Sequence, residues 1–459
     1  VNGSGAFGSF GADTWQTARR VLRAEGMASL RERVSDRLRE SLRRRSFHAT
    51  AKKLSAAGLP AIPVLNVLPT APTPRLGGLQ AQLLHRIESE AKHRPVALLY
   101  PEAEGYRLEV AAGGRRLALA IAGGPPPSPV ALRDAAFERA VTQAAAEVGA
   151  RALHIEGLAG IPLGSLAELH RSGLALLLSV HDFSLFCPRP HLLERPQLRF
   201  CDYSRDRERC ARCLAQDWPV GLRFQDERRE VAHGLLLAAA ATVYPSGFLR
   251  GRHLELFPGL PEDRQRVIEP SGPAGGGAAV QREGPVRHVA YIGQVLPHKG
   301  ALVFDEVVRR LPPEVCPDLR FSAYGGGDAE LLQRLRGLPR VQVRGYYRSG
   351  SLVDRLQRDR VDLALLLSIV PESYSLALSE CLAAGVPVVA FDHGAIAERV
   401  RRHGGGLLVE PEAGAEGVAP LVAALTNGRR VPPGDAALPP SGAQAADAFQ
   451  QLYRELGLS

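Results

Sequence analysis

Short runs of consecutive apolar residues recur along this chain, and between them lie stretches whose apolar positions return at helical spacing. Residues 61–68, 95–100, 106–110, 116–122, 152–156, 174–180 and 241–244 read as strands. Residues 79–92, 131–148, 164–172 and 222–238 read as helices among them. Residues 272–285, built of Gly, Pro and Ala with few others, carry no periodicity and read as a linker. Beyond it the rhythm restarts, with strands expected at 287–292, 319–324, 341–344, 362–367, 386–391 and 407–409. Helices are expected at 300–310, 328–336, 350–357, 375–384 and 395–402, and a terminal helix at 443–456. Alternation of this kind specifies mostly parallel sheets wrapped by helices. The fold class is α/β: two doubly wound domains, 59–271 and 286–430, meeting across a cleft, with a tail and helix over 431–459.

At 459 residues, 45% hydrophobic and 23% charged, the composition is that of a soluble globular protein of two or three domains. No apolar run approaches the roughly 20 residues that cross a bilayer, and no secretory pattern opens the chain. The start at Val1, in residues rich in Gly, Ser and Phe, reads as a fragment of a longer product. Six cysteines without a secretory signal argue for a reducing, cytoplasmic setting. The net charge of +9 is almost wholly arginine, because lysine occurs only at Lys52, Lys53, Lys92 and Lys299. Much of it lies in residues 19–53, within a basic helical N-terminal extension, 1–58. There Val21, Leu22, Leu30, Val34, Leu38 and Leu42 recur among the arginines at roughly helical spacing. Two readings stand: a surface helix that touches anionic lipid at the inner membrane face, or a solvated helix packed on its own protein. Nucleic acid is not an expected partner, since no aromatics interleave with the basic residues.

The segment Pro371 to Glu380 follows an apolar run, Leu363 to Leu367, and leads through an amphipathic helix to Gly385 and a second apolar run. A strand, a loop and a helix N-terminus make an anion site, with free N–H groups over Ser373 to Ala377. Glu372 and Glu380 bracket it, eight residues apart. If helical, that is roughly 12 Å along the axis, wider than the roughly 5–9.5 Å pair that hydrolyses a glycosidic bond. Such spacing suits two carboxylates that address different ends of one elongated, phosphate-containing ligand. Upstream, Tyr291 to Gly300 ends a strand, turns at Gly293 and brings Lys299 to a helix start, a natural phosphate partner. His181 stands at the carboxyl end of the strand 174–180, where open α/β sheets bind ligands. Gly77 and Gly78 follow the first strand. Cys187, Cys201, Cys210 and Cys213 form a loop over 187–213 that reads as a structural zinc site, as unligated thiols or as a redox pair.

Residues 287–410 resemble the donor-binding domain of the family 4 retaining glycosyltransferases, which have the GT-B architecture of two Rossmann-like domains. Gly293 through Gly300, Glu372-x7-Glu380 and the trailing Ala383-Ala384-Gly385-Val386-Pro387 carry the resemblance. It implies that Lys299 holds a donor diphosphate, Glu372 lies by the transferred sugar, and Glu380 accepts from the ribose hydroxyls. It implies further that backbone N–H groups of Ser373, Tyr374, Ser375 and Leu376 contact sugar and phosphate. His181 becomes the expected active-site histidine, and Gly77-Gly78 the glycine loop of the first domain. The family's usual arginine after the strand glycine is replaced by Gln294, so one cation at the diphosphate must come from elsewhere, for instance His298 or an arginine. Ser373 likewise replaces a common glycine. Tyr346 and Tyr347 lie near the base or are surface tyrosines.

The function implied is a retaining transfer of a sugar from a nucleotide-sugar donor to a glycan, lipid-linked or protein acceptor. No Asp-x-Asp occurs, so no catalytic metal is expected. Two other readings remain: an inactive GT-B-like binding or scaffold module, and a GT-B epimerase or phosphorylase using the same phosphate machinery.

Overall fold

A computed structural model describes residues 12–46, 61–72, 78–112, 115–272, 284–348, 350–434 and 439–459. Most of the expected linker, residues 273–283, lies outside them, as do Gly77, Lys52 and Lys53.

The chain opens with two helices, α1 (Ala12–Glu25) and α2 (Met27–Ser46). Gly26 separates them in the left-handed region, φ 90°, where a glycine ends a helix at no steric cost. The first domain then builds a sheet from β1 (Val64–Val67), β2 (Val96–Glu102), β3 (Gly105–Ala112), β4 (Arg115–Ala122), β5 (Ala152–Glu156) and β6 (Ala175–Ser179). A small hairpin, β7 (Leu193–Glu194) and β8 (Arg199–Phe200), lies in the cysteine-rich loop. β9 (Ala241–Tyr244) and β10 (Gln265–Val267) complete the sheet in the order β10-β9-β6-β5-β1-β2-β3-β4. β1, β5, β6, β9 and β10 run parallel, and buried apolar residues of β1, β5, β6 and β9 pack against the helices Ala135–Val148, Leu163–Arg171 and Phe224–Ala238.

The second sheet has the order β13-β12-β11-β14-β15-β16, all parallel. Its strands are β11 (His288–Ile292), β12 (Arg320–Tyr324), β13 (Val341–Gly345), β14 (Leu363–Leu366), β15 (Val388–Phe391) and β16 (Gly406–Val409). Four of them, β11, β12, β14 and β15, are buried almost throughout, as a parallel sheet covered on both faces requires.

Three features depart from the sequence reading. Residues 96–122 form an antiparallel meander, β2-β3-β4, because the turns after Glu102 and Ala112 are too short for a helical crossover. The terminal helix Gly442–Glu455 packs on the first domain, beside the helix Gly78–Glu90. There His154 Nδ1 meets the Tyr453 hydroxyl at 2.6 Å, and the Arg86 guanidinium lies 3.9 Å from the Phe449 ring.

The third departure concerns α2, whose amphipathicity is inverted. Ser29 and Asp36 are buried against the second domain and Glu32 partly so, while Met27, Val34, Leu38 and Leu42 are exposed on the opposite side. The buried acids are satisfied by groups beyond β13. The Tyr346 hydroxyl donates to Asp36 at 2.8 Å, Arg348 N–H to Glu32 at 3.0 Å, and Arg355 pairs with Glu32. Packing on its own protein therefore holds for the acidic face, and the arginine-rich apolar face is left open. No described helix is long and apolar enough to cross a membrane.

Candidate functional site

The carboxyl ends of β6, β11 and β14 face one cleft between the two sheets, about 640 Å³ in volume. It is lined by His181, Gly293, Gln294, Lys299, Ser373 to Leu376 and Glu380, as well as by Arg33 from α2. The structure thus brings His181, Gly293, Lys299, Glu372, Ser373 to Leu376 and Glu380, all singled out for donor chemistry, to one cleft, and Gly78 opens the helix Gly78–Glu90.

Lys299 is placed by backbone geometry. Gly293 turns at φ 146°, and Gly300 takes φ 79°, where an added Cβ would overlap the Leu367 carbonyl. The Tyr291 hydroxyl, buried beneath, reaches the Gln294 carbonyl at 2.7 Å and the Lys299 carbonyl at 3.0 Å, pinning both ends of the turn. The ammonium of Lys299 then meets Glu372 Oε1 at 2.9 Å. Burial works to raise the Glu372 carboxyl pKa, but the Lys299 charge and its hydrogen bond outweigh it and hold it below the ordinary value.

The loop after Glu372 is braced from behind. Ser375, the N-cap of the helix Leu376–Ala383, sits at φ 73° and accepts from Leu378 N–H through its hydroxyl. Buried Arg399 donates to the carbonyls of Tyr374 at 3.2 Å and Ser375 at 2.9 Å, and to the Ser379 hydroxyl at 2.9 Å. From the first domain, Ser246 Oγ donates to the Ser373 carbonyl at 2.7 Å and Phe248 N–H to Glu398. The first helical N–H groups are thereby held at the cleft.

Glu380 is nearly inaccessible and accepts from Gly350 N–H at 2.5 Å. Burial raises its carboxyl to about 7, against the backbone N–H groups of Gly350 and Leu352, which favour the charged form. His181 is neutral: burial lowers it to about 4, with Glu156 opposing and Arg86 assisting. Its Nδ1 is buried without a hydrogen-bond partner among the described residues. His191, from the cysteine-rich loop, stacks on His298 across the cleft at 4.6 Å between centroids and 12° between planes. Burial, His191 and Lys299 push His298 down to about 3. His298 is therefore uncharged and does not replace the cation absent at Gln294.

Cys187, Cys201, Cys210 and Cys213 line one cavity of about 20 Å³, and all are free thiols. Among the described residues no group of three or more His, Cys, Asp or Glu side chains is arranged to hold a metal ion. Burial raises the Cys187 thiol to about 12, Cys213 Sγ accepts from Arg195 N–H at 3.3 Å, and Cys210 Sγ lies 3.8 Å from Arg229. Arg33 and His191 are cleft residues that no motif marked.

The Glu380 proton makes a testable difference to stability. The folded protein holds it where the unfolded chain has lost it, so this group lowers stability as pH rises from about 4.5 to about 7. Urea unfolding of Glu380→Gln should show the variant gaining on wild type by on the order of 1–3 kcal/mol between about pH 5 and pH 8. A gap independent of pH would contradict the raised carboxyl.

Residues 286–427 match the family model described as glycosyl transferases group 1. No curated protein matches the chain. Among solved structures, HepE of Anabaena, determined in complex with UDP, is 16% identical, with a TM-score of 0.52 over 86% of this chain and 99% of that one. Sucrose-phosphate synthase of Thermosynechococcus elongatus gives the same identity, coverage and TM-score. The trehalose 6-phosphate synthase of Burkholderia multivorans is 14% identical, with a TM-score of 0.55 over 86% and 97% of the two chains. Residues 286–427 are thus similar to the glycosyl transferases group 1 family, which supports a hexosyltransferase, and the two sheets together have the GT-B fold.

Proposed function

We propose that this protein transfers a sugar from a nucleotide-sugar donor to a glycan or lipid-linked acceptor, with retention at the anomeric carbon and without a catalytic metal. The observation that carries the reading is the Lys299–Glu372 pair, set in the cleft between the helix N-terminus at Leu376 and the neutral His181. A nucleoside diphosphate entering this cleft takes the Lys299 ammonium from Glu372. The freed carboxylate is then beside the sugar. HepE, solved with UDP and with UDP-glucose, shows that a protein of this fold accommodates such a donor.

In the proposed step the bond from the anomeric carbon to the phosphate oxygen breaks as a bond to the acceptor hydroxyl oxygen forms on the same face. The departing phosphate oxygen takes the acceptor proton, so no separate base is required. Lys299 and the N–H groups of Ser373 to Leu376 stabilise the charge on the leaving diphosphate. Glu372 and His181 address the oxocarbenium-like sugar and its hydroxyls, and Glu380 accepts from the ribose. Ionised Glu372 supplies negative charge next to the developing cation. Neutral His181 contacts the sugar without adding a like charge.

The pair predicts opposite signs for its two members. Lys299→Ala should weaken UDP or GDP binding about tenfold or more, by removing a charge-assisted contact. Glu372→Ala leaves the ammonium without a competitor, so nucleotide affinity should hold or rise while transfer slows by about 10²-fold or more. Calorimetric titration with UDP and GDP, paired with turnover, measures both. Loss of nucleotide affinity in Glu372→Ala equal to that in Glu380→Ala would defeat this division of roles.

A lipid-linked acceptor is favoured by the open face of α2, where Met27, Val34, Leu38 and Leu42 are exposed among Arg31, Arg37 and Arg39. Such a face suits the surface of an anionic bilayer. Sedimentation with phosphatidylglycerol vesicles should retain the wild-type protein, and Val34→Glu/Leu38→Glu should release most of it. Equal retention of both proteins would remove the membrane from the account.

A further inference from the structure

Arg33 reaches the donor cleft from α2, a helix outside the residues that match the glycosyltransferase family. Three observations fix its surroundings. Its Nη2 lies 2.6 Å from Glu25 Oε1, and its Nε donates to Glu25 Oε2 at 3.2 Å. Its guanidinium carbon lies 4.6 Å from the centroid of the Tyr346 ring. A Cβ at Gly326 would overlap both the Arg33 guanidinium and the Glu25 carboxylate, so the Gly325 to Gly327 turn is closed against this pair.

The helices α1 and α2 are anchored where Arg33 needs them. Glu25 and Ser29 both accept from Tyr346 N–H, at 3.2 and 3.1 Å, and the Tyr346 hydroxyl is tied to Asp36. Tyr346 follows β13, in the loop that also brings Gly350 N–H to Glu380. The loop after β13 thus touches both Glu380, through Gly350, and Arg33, through Tyr346, and both residues line the cleft. A donor with its diphosphate at Lys299 and its ribose at Glu380 carries its base to this end of the cleft.

We propose that Arg33 reads the nucleobase, selecting bases that present a carbonyl oxygen over those that present an amino group at the same position. This inference rests on the nucleotide-sugar reading above. The chemistry follows from what the guanidinium has left to offer. Its charge is already compensated by Glu25, so it adds little net positive charge for a diphosphate. Its Nη1 hydrogens make no hydrogen bond among the described residues. An arginine donates and never accepts. An amino group set against it leaves donor facing donor, whereas a carbonyl accepts.

Uridine and cytidine diphosphates differ at one such position, and guanosine and adenosine diphosphates at another. Wild-type protein should bind UDP about tenfold or more tighter than CDP, or GDP than ADP, in line with one hydrogen bond to a charged group. Arg33→Gln can still donate to Glu25 but can also present an acceptor, and should shrink the ratio to about threefold or less. Arg33→Lys keeps the charge at Glu25 without a free planar edge and should do the same, which covers a folding defect in Arg33→Gln. Both are compared by calorimetric titration after circular dichroism has verified the fold. Equal binding of the carbonyl and amino bases by wild type, or an unchanged ratio in a folded variant, overturns the role of Arg33. If wild type binds none of the four nucleotides, it is the donor reading itself that falls.

Discussion

The Lys299–Glu372 ion pair is the interaction on which the rest of the site depends. An ammonium held in a narrow cleft is costly unless an anion compensates it, and here the protein supplies its own until a ligand arrives. The backbone is fixed to keep that ammonium in place. Gly300 sits where no other residue fits under the Leu367 carbonyl, and Tyr291 clasps the turn from below. On the other side, Arg399, Ser246 and the Ser375 cap hold the loop that carries Glu372. The pair is thus a stored, satisfied charge that an anionic ligand can take over with little rearrangement.

Around that pair the cleft keeps other charges low. His181, His298 and Glu380 are all shifted toward their neutral forms, in each case chiefly by burial. A neutral lining leaves Lys299 and the helix N-terminus as the main positive features at the phosphate end. The contribution of the N-terminal helices α1 and α2 is of another kind. Its Arg33 arrives already paired with Glu25, and so brings hydrogen-bond direction without much charge.

Much of this was legible in the chain. The strands of the second sheet, the glycine turn at Gly293, Lys299 at a helix start and the two glutamates are local patterns, and local patterns survive folding. The cleft itself followed from where two sheets end. What escaped was set by contacts distant in sequence. The antiparallel meander of residues 96–122 differs from parallel strands only in the length of its turns. The terminal helix has a periodic apolar face in Phe449, Leu452 and Tyr453, but nothing in it marks the first domain as its partner. In α2 the usual rule misleads, because hydrogen bonds to the loop after β13 bury Asp36 and Ser29 and turn Leu38 outward. Arg33 was one arginine among ten in a basic stretch, and only its place beside Tyr346 distinguishes it. The four cysteines are the converse case: their closeness in the sequence does bring their side chains to one cavity.

The most direct test of the central claim is product analysis by NMR after incubating the protein with UDP- and GDP-sugars, with and without added glycan or lipid-linked acceptors. The account predicts release of the nucleoside diphosphate together with a new glycoside of the same anomeric configuration as the donor. Donor recovered unchanged under every condition would point to a binding module. A glycoside of inverted configuration, or an epimerised sugar with no transfer, would contradict the chemistry assigned to this cleft.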